Sequence, residues 1–156
     1  MREERKYRRV EHGFLLDRDV AKAKSLFPAK RTKTMEDVGL PENSPDAELV
    51  LEAWRRNLIL VTGNGNDFKR EMEGFLRTTK KSECHEGYGL LVLPNGYELQ
   101  KRLMRGIELK LRLGKEKLTW ADVCDRNLHV QVSRSGSVSV REFPRCAYCI
   151  KLDGKG

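Results

Sequence analysis

Long apolar runs are missing from this sequence. None approaches the ~20 residues that a bilayer-spanning helix needs, so neither a membrane span nor a membrane partner is expected. The opening stretch, MREERKYRRV, is charged and has no apolar segment behind it. No secretory signal is therefore expected, and the expected location is the cytoplasm. Cysteine is scarce: Cys84, Cys124, Cys146 and Cys149 are the four. In a reducing compartment these are thiols or metal ligands rather than disulfides. Histidine is scarcer still, with three, His12, His85 and His129, none placed for a nucleophile–base pairing. No Ser-His-Asp or Cys-His arrangement is legible. A P-loop lysine and a G-x-G-x-x-G spacing are both absent, which argues against a nucleotide cradle. There is no internal repeat and no low-complexity tract.

Basic charge is what the chain has in excess. Lys and Arg number 31 against 23 for Asp and Glu, a net charge of +8 in 156 residues. Such a balance favours polyanionic partners, nucleic acid first among them. Residues 1–12 form a basic arm carrying Arg2, Arg5, Lys6, Arg8 and Arg9. Residues 97–118 read as a long basic amphipathic helix on which Arg102, Arg105, Lys110 and Arg112 would meet RNA phosphates. A solvated helix face is the plainer explanation of the same run. An acidic protein partner would use that surface too, and a homo-oligomer is compatible with it.

The patterning between these basic stretches alternates strand and helix. GFLLD, residues 13–17, is a short apolar strand ending in an acid. RDVAKAKSLFPAKR follows, with Val20, Ala23, Lys24 and Phe27 at helical spacing and Pro28 as the stop. A short strand is expected near Thr32–Met35. Ser44 is a suitable N-cap before Pro45, and Asp46 and Glu48 fall in the first turn, where the helix dipole favours acids. Ala47, Val50, Leu51 and Trp54 then mark a packed face. LILVT, residues 58–62, is a continuous apolar strand of the kind buried in a parallel sheet. A helix over 67–81 and a strand over 88–94 continue the alternation, which implies a parallel sheet with helices on its faces. The fold class expected is therefore α/β, a three-layer sandwich with a mostly parallel sheet. LHVQVSRSGSVSVREF reads as a β-hairpin. The divisions expected are the arm over 1–12, a main domain over 13–117 and a small β-rich extension over 118–156.

Function in an open α/β sheet gathers at the carboxyl ends of the strands. Asp17 ends the first strand, Asp46 and Glu48 open a helix, and Asp67 follows the second long strand. Acids that converge from separate segments repel unless protonated or bridged by cations. Mg2+ or Mn2+ prefers oxygen ligands and would resolve that repulsion. Taken singly, each acid reads as a helix cap or a turn residue. Cys146-x-x-Cys149 is half of a zinc pattern, and Cys124 and His129 precede it at a suitable distance for a structural Zn2+ set; buried thiols are the alternative.

FLLDRDV, SPDAELVLEAW and LILVTGNGNDF, in that order, resemble the PIN-like superfamily, and more closely its small bacterial members found in toxin–antitoxin settings. The resemblance covers about residues 13–93. It implies a parallel sheet sandwiched by helices and a Mg2+- or Mn2+-dependent ribonuclease activity, with an antitoxin as a candidate partner. By position, Asp17 matches the first metal-binding acid, Asp46 or Glu48 the second, and Asp67 the acid before Phe68. Asn64 departs from the pattern, standing where an aspartate is more usual, and brings an amide oxygen without charge. The alternative reading is a catalytically weak or inactive module that binds RNA or a protein through its basic surface.

Overall fold

A computed structural model of the protein describes residues 13–63, 65–78 and 89–143. The N-terminal arm, Asn64, Cys84, His85, Cys146 and Cys149 lie outside the described residues. Six strands form one sheet: β1 (Gly13–Leu16), β2 (Thr32–Thr34), β3 (Leu58–Thr62), β4 (Gly89–Val92), β5 (Leu128–Val132) and β6 (Val138–Glu142). Their order is β2-β1-β3-β4-β5-β6, all neighbours parallel except the antiparallel β5–β6 pair. The helices are α1 (Asp46–Arg56), α2 (Gly65–Thr78), α3 (Tyr97–Leu113) and α4 (Trp120–Asp125). The expected α/β class with a mostly parallel sheet is what the chain adopts.

The central strands are short apolar runs because they are buried on both faces. Successive residues point to opposite sides. Phe14 and Leu16 therefore join Val61, Leu91, Ile107, Leu111 and Val130 in one core, while Leu15 joins Leu49, Val50, Leu60, Phe68 and Leu90 in the other. Thus α3 and α4 cover one face, and α1 and α2 the other.

Four local expectations change. Arg18–Leu26 is a 3-10 helix rather than an α-helix. Its apolar residues Val20, Ala23 and Leu26 recur every third position, which matches three residues per turn. Ser44 does not cap α1: its hydroxyl donates to the Pro41 carbonyl at 2.7 Å, and Pro45 holds the cap position without a side-chain bond. The buried stripe of α1 is Leu49, Val50 and Ala53, with Ala47, Leu51 and Trp54 half-buried at its margins. The hairpin expected in a separate extension is part of the main sheet, since Leu90, Leu91 and Val92 of β4 pair in parallel with His129, Val130 and Gln131 of β5.

Two left-handed asparagines set the entry into strands. Asn57 (φ 59°) follows α1 and Asn127 (φ 54°) follows α4, each one residue before a strand. Asparagine tolerates this conformation at a helix C-terminus, so both helices stop and reverse directly into β3 and β5.

Candidate functional site

The strand order places a topological switch between β1 and β3. From β1 the chain crosses to β2 on one side, and from β3 it moves to β4 on the other. The two connections diverge there and leave a crevice at the carboxyl edge, the usual place for a ligand in such sheets.

Asp17 stands at the mouth of that crevice. Its main-chain N–H donates to the Val61 carbonyl at 2.9 Å, so the residue after β1 stays docked on β3. Its Oδ1 accepts the Arg18 N–H at 2.7 Å, capping the 3-10 helix, and its Oδ2 accepts the Thr62 hydroxyl at 3.0 Å. Burial, and then the charge of Asp19, push the Asp17 carboxyl up from 3.8 to about 6, although the Arg18 and Thr62 hydrogen bonds favour its ionised form.

Asp46 is raised as well, first by burial, then by Asp67 and further by Asp19, against the opposing pull of Arg18. The acids therefore form a connected series: Asp17 senses Asp19, Asp19 acts on Asp46, and Asp46 senses Asp67. Glu48 is exposed and has no part in the shift of either Asp17 or Asp46. Of the two acids that open α1, Asp46 is the half-buried one, and its carboxyl feels the charges of Asp67 and Asp19.

Asp19 is the member that the sequence did not single out. Its signal was present as Asp17-Arg18-Asp19 at a strand end. An α-helical reading spaces those residues differently from the 3-10 turn that keeps the two carboxylates together. Asp19 Oδ1 also accepts the Gly63 N–H at 3.4 Å.

The glycines that follow β3, Gly63 and Gly65, are needed for close approach. A Cβ on Gly63 would sit 2.6 Å from Asn95 Oδ1 and 3.0 Å from Asp19 Oδ2. A Cβ on Gly65 would sit 2.7 Å from Val92 Cγ2. Neither glycine has a positive φ, so room for neighbours, and not backbone freedom, is the requirement. Asn95, between β4 and α3, was also not anticipated, and its Oδ1 lies against Gly63.

Among the described residues, no three His, Cys, Asp or Glu side chains are close enough to hold a metal ion together. Mg2+ does not require such a cage, since one or two carboxylates with water and substrate phosphate suffice. The all-oxygen donor set and the mutual repulsion of Asp17 and Asp19 match that requirement.

The zinc expectation fails on geometry for its described members. Cys124, on α4, is fully buried in one core, where its thiol donates to Asn57 Oδ1 at 3.3 Å. His129 points to the opposite side of the sheet and stacks on Phe143, which belongs to the other core. The sheet stands between them, so they cannot share a tetrahedral ion.

The basic helix is partly committed. Lys110 Nζ donates to the Gly136 carbonyl, pinning α3 to the β5–β6 turn, and Arg112 pairs with Glu108 at 3.0 Å. Arg102 and Arg105 are exposed on the outer face. No helix among the described residues is long and apolar enough to cross a membrane. No family model, curated protein or solved structure matches this chain.

Proposed function

We propose that the carboxyl edge between β1 and β3 is the active site of a PIN-like, divalent-metal-dependent phosphodiesterase acting on RNA. One observation carries the reading. Asp17, Asp19, Asp46 and Asp67, from three separate segments, share an electrostatic neighbourhood at the switch point, and Asp17 is raised to about 6. An enzyme places repelling carboxylates together where a cation is to neutralise them. The net charge of +8 supports a polyanionic substrate.

Asp17 and Asp19 would hold Mg2+ or Mn2+, with Asp46 and Asp67 beside them. The ion would acidify a water and neutralise charge that builds on the phosphate. Thr62 keeps Asp17 oriented through its hydroxyl, and the Asp17 N–H bond to Val61 keeps that carboxylate at the edge. Gly63, held between Asp19 and Asn95, keeps the loop low enough for a strand of RNA to lie across the acids.

The decisive assay is RNA cleavage with and without Mn2+, by this protein, Asp17→Ala and Asn64→Asp. The reading expects Mn2+-dependent cleavage that Asp17→Ala abolishes and Asn64→Asp increases. Undiminished cleavage by Asp17→Ala would remove Asp17 from the chemistry. RNA binding without cleavage, and without calorimetric Mn2+ binding, would identify a non-catalytic module instead.

A further inference from the structure

The outer face of α3 carries the two exposed large hydrophobic side chains among the described residues, Leu109 at 53% and Leu113 at 74% exposure. They are four residues apart and so lie one above the other. The inner face of the same helix is already occupied, with Gln100, Ile107 and Leu111 buried, so no rotation of α3 would cover the pair. Arg102 and Arg105 precede them on the outer face. Both are exposed, and neither pairs with an acid among the described residues. The stripe thus reads basic and then apolar along one line of the helix.

Three occupants can be weighed by chemistry. A single RNA strand is held by phosphate contacts and by bases stacked on aromatic rings, and leucine supplies neither. A second copy of this chain, paired through a two-fold axis, would bring one basic stripe against an equal one, which like charges oppose. An acidic amphipathic helix satisfies both halves: its apolar residues cover the leucines and its carboxylates meet the arginines. We propose that the outer face of α3 docks an acidic amphipathic helix of a partner protein, with Leu109 and Leu113 as the apolar anchor and Arg102 and Arg105 as the charge clamp. This inference does not rest on the activity proposed for the acid edge.

The test is selection from a displayed library of helical peptides on the full chain, followed by fluorescence-anisotropy titration of the enriched peptides. Enriched sequences should carry acidic residues and two apolar positions one turn apart. Leu109→Ser with Leu113→Ser should weaken their binding by at least about tenfold, and Arg102→Glu with Arg105→Glu by a similar factor. The arginine variant should regain affinity for a peptide whose acids are replaced by lysines, and added salt should weaken the original pair. All four positions are exposed, and circular dichroism melts check that the variants stay folded. The proposal is overturned if selection enriches no acidic sequences, if affinity ignores the leucine change, if an RNA oligonucleotide binds this face equally well with and without the leucines, or if the chain sediments as a dimer that the leucine change dissolves.

Discussion

The Thr62 hydroxyl donates to Asp17 Oδ2 at 3.0 Å, tying the last residue of β3 to the residue that follows β1. This bond joins the two sides of the switch point and favours the ionised form of the most strongly raised acid at the edge. Thr62→Val keeps the shape and removes the donor. The Asp17 carboxyl should then titrate above about 6, which carbon-detected NMR would read directly. The acid limb of any cleavage profile should move up in pH with it. A limb that stays in place while Asp17 shifts would separate that residue from the reaction.

Asp17→Asn should stabilise the protein at neutral pH. The carboxyl titrates near 6 when folded and at 3.8 in the ordinary chain, so between those values the folded state holds more protons than the unfolded state. Stability therefore falls as pH rises through that window, and the loss is complete above it. With solvent access to the carboxyl allowed for, the gain at pH 7 should be about 1–2 kcal/mol. Asparagine keeps a side-chain oxygen to cap the 3-10 helix. Denaturant melts at pH 7 and pH 4 test this: the advantage of Asp17→Asn should shrink at the lower pH. The same change should abolish cleavage, a stability gain bought with function.

Gly65→Ala should destabilise by about 1–3 kcal/mol, because its Cβ would meet Val92 at 2.7 Å and Val92 is buried. Gly63→Ala meets Asn95 Oδ1 at 2.6 Å, but that side chain is exposed and able to move. Its cost should be smaller and should largely vanish in the double variant with Asn95→Ala. Equal melting losses for the two glycine changes would contradict this ordering.

His129 should make the fold sensitive to mild acid. Its Nε2 is buried without a hydrogen-bond partner among the described residues. Burial first, then Lys69 and Arg141, hold its pKa below the ordinary 6.5. Below about 6.5 the unfolded chain takes up a proton that the folded chain resists, so stability falls as pH drops. His129→Phe, which keeps the ring against Phe143, should flatten that slope. Chemical denaturation between pH 5 and pH 8 would show it.

The α/β alternation was legible because burial on both faces demands unbroken apolar strands, and LILVT and GFLL are such runs. Asp17 and Asp67 were legible for the same reason, as acids next to strand ends. Asp19 was not, because a helical period obscures the three-residue spacing of Val20, Ala23 and Leu26. Between Asp46 and Glu48 the sequence offered no choice, since both occupy the first turn of α1.

By itself, the sequence determined the sheet, its helices and the neighbourhood of the acids, since these follow from local periodicity and from which residues end each strand. Tertiary structure alone decided that Asp46 feels the charge of Asp67, that Cys124 and His129 are parted by the sheet, and that Lys110 is held by the hairpin turn. Each of these depends on which face of an element meets a neighbour distant in the chain, and no local pattern carries that information.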